Sequence, residues 1–105
     1  MPKMVAFVFT TLLAAPSFAQ VSADGVAATL GPAMALASMC ARPTAPIELE
    51  LEHYLQKVGA GPLETNRVRQ AMMSAAAGWH GQYTQCSTAD REIADTIAKV
   101  RAATP

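Results

Sequence analysis

One helical period runs unbroken through residues 63–86, LETNRVRQAMMSAAAGWHGQYTQC, and constrains the fold more than any other stretch. Val68, Met72, Ala75, Ala76, Trp79, Tyr83 and Cys86 recur at steps of three and four, which gathers them on one side of a helix. That side carries the single Trp, a Tyr and a Cys, so the rest of the chain is predicted to pack against it. Gly78 and Gly81 each weaken a helix by up to about 1 kcal/mol relative to Ala, which predicts a bend or an end near Trp79.

The start of the chain has a different character. Lys3 precedes an apolar run, VAFVFTTLLAA, and Pro16-Ser17-Phe18-Ala19 closes it with a helix breaker and small residues. This is the three-part pattern of a secretory leader, which predicts cleavage after Ala19 and a periplasmic or secreted protein. The apolar run is too short to span a bilayer, so no stable membrane insertion is expected after cleavage. Export decides how Cys40 and Cys86 are read, because an oxidising compartment favours a disulfide over two free thiols. Closing the loop between them restricts the unfolded chain by about 4 kcal/mol, a large share of the stability of so small a domain.

Beyond the leader, residues 20–31 carry small side chains, an early Gly25 and little periodicity, and are read as a loose lead-in. Pro32 suits a first helical turn, so a short helix is expected over 32–40 with Ala33, Leu36, Met39 and Cys40 inward. The Arg42-Pro43-Thr44-Ala45-Pro46 segment must turn. Residues 47–58 then place Ile47, Leu51, Tyr54, Leu55 and Val58 on one face, with Glu48, Glu50 and Glu52 early, where the helix dipole favours negative charge. The alternation through Ile47-Glu48-Leu49-Glu50-Leu51-Glu52 also suits a strand, but no partner strand is found and helix is preferred. Gly59 is placed to close this helix in the left-handed conformation and Pro62 to open the next. Ser87 has the spacing of an amino-terminal cap for a last helix carrying Ile93, Ile97 and Val100 inward. The prediction is therefore all-α: one domain over 32–105, a small bundle of three to four helices stapled by a Cys40–Cys86 disulfide.

Balanced charge, with eight Lys or Arg and eight Asp or Glu, argues against a nucleic-acid partner. No enzyme activity is expected, since both cysteines are assigned to a disulfide and neither histidine has a Ser and an acid in a recognisable arrangement. Glu50 and His53 have the Glu-x-x-His spacing of carboxylate-bridged dimetal bundles, but His80 has Ala77 three places before it, and the required second half is missing. Met73 and His80, with Met72 and Trp79 adjacent, offer ligand types suited to Cu(I), which makes copper handling an alternative function. Core filling explains these methionines more simply, and no metal or cofactor is expected. Protein contact remains, through an unidentified partner or self-association. The surface assigned to it lies beside the core stripe of the long helix: Gln70, Met73, Ala77, His80 and Thr84, with the small Ala77 allowing close approach of another helix.

An exported two-cysteine chain ending in CSTADREIADTIAKV at 86–100 resembles the small periplasmic acid-stress chaperones of the HdeA type. The resemblance covers the last fifth of the chain and the cysteine separation. It departs at Cys40, which follows Ser38-Met39 and precedes a proline-broken turn where the family opens a helix behind an aromatic residue. It implies an alternative function, in which protonation of Glu48, Glu50 and Glu52 exposes apolar surfaces that protect client proteins.

Overall fold

The computed structural model describes residues 22–79 and 85–105, so the predicted leader and its cleavage point lie outside the described residues. Among the described residues there are four helices, α1 (Ala23–Met39), α2 (Ala45–Lys57), α3 (Pro62–Trp79) and α4 (Ala89–Ala103), and no strand. The all-α expectation holds, with Cys40 and Cys86 bonded across 46 positions at a Cα separation of 5.5 Å.

The centre of the bundle is not the long helix but α1. It packs against each of the other three, and α2 packs in addition on α4. The loose lead-in expected over 20–31 and the short helix expected over 32–40 are one continuous helix from Ala23. Three features reconcile this with the sequence. Ser22 accepts a hydrogen bond from the Gly25 N–H at 3.0 Å and supplies the amino-terminal cap. Pro32 removes the donor that would serve the carbonyl four residues back, but that carbonyl belongs to Ala28, on the exposed side where water can reach it. Finally, Val26, Ala27, Leu30, Ala33, Met34, Leu36 and Ala37 are all buried, so the helix is apolar around most of its circumference. A helix of this kind shows little periodicity because its narrow solvent side carries small residues such as Ala28, which contrast little with the core.

Gly31 sets how closely α1 approaches α3. A Cβ placed on it would lie 2.4 Å from the Ala75 Cβ and 3.0 Å from both the Ala76 nitrogen and the Met72 carbonyl oxygen. Val68 and Met72 are fully buried there and Ala76 is partly so, in line with the expected stripe. The stripe fades towards its end. Trp79, expected in the core, is 41% exposed and is the last residue of α3, while Tyr83 lies outside the described residues. Cys86 is beyond α3 altogether, so the disulfide ties the end of α1 to the approach to α4 rather than to the end of a longer third helix.

Helix ends follow from local chemistry. Gly59, at φ 73°, closes α2: its N–H bonds the Gln56 carbonyl and the Ala60 N–H bonds the Leu55 carbonyl, satisfying two otherwise orphaned acceptors. The end of α1 uses the same arrangement, with Ala41 N–H on Ser38 and Arg42 N–H on Ala37, but here the left-handed residue is Ala41 at φ 57°. An L-residue is strained in that conformation by about 1–2 kcal/mol, so Ala41→Gly is expected to raise the midpoint of urea unfolding by an amount equivalent to about 1 kcal/mol. A lower midpoint would show that Ala41 is not held in this turn. Arg42 then donates from Nε to Asp90 Oδ1 and from Nη1 to the Cys40 carbonyl, each at 2.8 Å, bridging the end of α1 to the first turn of α4. At the head of α4, Thr88 occupies the cap position, one residue after the expected Ser87, and its hydroxyl donates to Glu92 Oε2.

On α2, Ile47, Leu51, Tyr54 and Leu55 are inward as expected, but Val58 is 44% exposed. Burial pushes the Tyr54 phenol above its ordinary pKa of 10.0. The fold favours the neutral phenol, so the contribution is present below that value and is lost as pH rises through the raised folded-state value. Alkaline unfolding followed by circular dichroism is expected to show a stability loss above the ordinary phenol value, diminished in Tyr54→Phe. The same loss in both proteins would assign it elsewhere.

Candidate functional site

Because α2 and α3 both rest on α1, a groove opens between them. Leu51 and Met72, both buried, form its floor; Leu49 from α2 and Met73 from α3 stand on its walls, 66% and 54% exposed. Ala45 and Glu48 extend one wall, and an ion pair between Arg69 and Glu52 spans from one helix to the other. The groove encloses about 510 Å³, a size that admits one or two large apolar side chains rather than a whole helix. Across Met73 it continues into a shallower polar depression formed by Asn66, Arg69, Gln70 and Ser74.

The structure places the sequence-predicted contact residues unevenly. Gln70, Met73 and Ala77 are exposed on α3, with Gln70 and Met73 at or beside the groove. His80 and Thr84 lie outside the described residues. Met72 and Met73, adjacent in the copper reading, separate: one is in the core and the other at the surface. Among the described residues no group of three or more His, Cys, Asp or Glu side chains could hold a metal ion. No helix among them is long and apolar enough to cross a membrane.

Half of the groove was missed by the sequence reading. Leu49 lies off the inward stripe of α2, and an exposed Leu between two glutamates was the available signal. Glu50 was also misplaced. It sits three residues after Ile47 and four before Tyr54, which is inside the buried stripe, and it is only 4% exposed. The three glutamates therefore do not act as one set, since Glu48 and Glu52 line the groove while Glu50 faces the opposite side, towards α4.

Glu50 Oε1 accepts from Arg101 Nη2 at 2.8 Å. Its Oε2 has no hydrogen-bond partner among the described residues, with His53 Nδ1 4.0 Å away. The Glu50–His53 pair of the dimetal reading is thus close in space, but it faces a guanidinium rather than further carboxylates.

These features define a class: an all-α bundle in which, among the described residues, three helices pack on a central apolar helix, closed by one disulfide and carrying an apolar groove beside α3. The chain matches no family model, no curated protein and no solved structure. The likeness to acid-stress chaperones accordingly rests on the residues quoted for it.

Proposed function

We propose that this is a small exported, non-enzymatic protein that works by protein contact, seating apolar side chains of a partner in the groove between α2 and α3. The observation that carries the reading is Met73 facing Leu49, two large apolar side chains more than half exposed above a buried Leu51 and Met72 floor. Exposed apolar side chains are ordinary when scattered, but a concave apolar site with a polar margin is where interfaces place their anchors. The disulfide supports an oxidising compartment, the periplasm or the exterior. The near-neutral charge offers no long-range attraction for nucleic acid.

Substituting Met73→Asp tests this directly. Its side chain is half exposed, so the helical circular dichroism signal and the thermal midpoint are expected to stay close to wild type. Self-association in sedimentation, or capture of a partner from a periplasmic extract, is expected to fall by about tenfold or more, as loss of an interface anchor worth at least 1.4 kcal/mol would dictate. Unchanged association in a folded Met73→Asp protein would refute the groove as the contact surface.

A further inference from the structure

The two walls of the α2–α3 groove differ in charge. Glu48 and Glu52 come from α2, and Arg69 comes from α3. Between these polar edges stand Leu49 and Met73, exposed above the buried Leu51 and Met72. Arg69 is paired with Glu52 across the groove, yet its side chain remains 49% exposed, and the bond from Nη2 uses one of its five N–H donors. Glu48 is exposed and has no ion-pair partner among the described residues. A partner that fits this surface must bring a cation to α2, an anion to α3 and apolar side chains between them.

The same face of a second copy carries that set in that order. A two-fold axis running along the groove lays α3 of each copy on α2 of the other, so residues level with one another across the groove in one chain become neighbours between chains. Arg69, level with Glu52, then meets Glu52 of the other copy, with Glu48 one helical turn away, and Met73 meets Leu49 of the other copy. Laying like helix on like helix would instead gather the glutamates on one side and the arginines on the other, where like charges repel. The chain is formally neutral, so two copies meet no long-range repulsion. We propose that the occupant of the groove is a second copy of this chain, in a two-fold dimer centred on Met73 against Leu49 and edged by Arg69 against Glu48 and Glu52. The dimer presupposes that the groove is the contact surface, and adds what fills it.

Sedimentation equilibrium of the disulfide-bonded chain recovered from its host, taken from micromolar to millimolar concentration, is expected to show a reversible monomer–dimer equilibrium. Arg69→Glu makes both walls acidic, and Glu48→Lys combined with Glu52→Lys makes both basic. Each variant alone is expected to dimerise at least about tenfold more weakly, with the helical circular dichroism signal unchanged. Mixed in equal amounts, the two are expected to pair about as tightly as wild type, because each α3 then faces an α2 of opposite charge. Should loss of the Arg69–Glu52 pair perturb folding, Glu48→Lys alone breaks no ion pair among the described residues. It is expected to weaken dimerisation by about threefold or more, since the contact occurs twice in the dimer. A chain that stays monomeric to millimolar concentration, variants that dimerise as tightly as wild type, or a mixture that fails to pair would overturn the second copy as occupant. The groove is judged separately. A wild-type dimer that persists in Met73→Asp refutes the groove, whereas a monomeric chain that crosslinks from position 73 to a different protein refutes only the second copy.

Discussion

Replacing Cys40 and Cys86 together by serine is expected to lower the unfolding free energy by about 4 kcal/mol, the loop-closure value for a sequence separation of 46. For a domain of this size each kilocalorie moves the melting temperature by about 4–8 °C, so the midpoint should fall by roughly 20 °C. The reason lies in where the bond sits. It joins the end of α1, the helix on which all others pack, to the segment leading into α4. The Arg42–Asp90 pair also ties that place, but with Asp90 largely exposed and Arg42 partly so it is worth less than about 1 kcal/mol. Denaturant unfolding of the oxidised and double-serine proteins provides the measurement. A loss below about 1 kcal/mol would show that the bundle holds α4 without the bond.

Gly31→Ala should be the second large effect, and it runs against helix propensity. Alanine is the better helix former by about 1 kcal/mol, so an isolated α1 would gain from the change. In the bundle the added methyl meets Ala75 and the backbone of Met72 and Ala76, and none of these is the end of a flexible side chain that could turn away. The two helices must separate along their most buried contact, a kind of overpacking that costs about 1–3 kcal/mol. Gly78→Ala supplies the opposite sign, because no described residue lies within 4 Å of its added Cβ, and a gain of up to about 1 kcal/mol is expected. Chemical denaturation of the two variants decides the matter. A stabilised Gly31→Ala would mean that α1 and α3 do not approach as closely as described.

This pair also shows what could be read from sequence and what could not. Gly59 was legible because a left-handed helix end needs a residue without a Cβ, a local requirement. Gly31 was not, because its reason lies in Ala75, forty-four positions away, and a Gly-Pro pair reads as a break until the neighbouring helix is known. The same limit hid α1. Periodicity detects a helix through the contrast between a wet face and a dry one, and a helix with a narrow wet side made of small residues such as Ala28 gives little of that contrast. It worked for most of α2 and for α3 as far as Met73, where Val68 and Met72 face α1 and Met73 faces water. It misled at Trp79, where an aromatic residue at the right spacing arrives at the end of the helix with less of the bundle left to cover it. At the candidate site, Met73 was found because it lies on an apolar flank of a clearly periodic helix. Leu49 and Glu50 depend on how α2 is rotated between α3 and α4, which one helix alone does not specify.

The claim that the α2–α3 groove makes the protein's contacts is tested most directly by a photo-crosslinking amino acid placed singly at Leu49, at Met73 and, as a control, at the exposed Lys99 of α4. Irradiation in the native host is predicted to give the same discrete protein adduct from positions 49 and 73, and none from 99. Adducts that form equally from all three positions, or only from 99, would contradict the account.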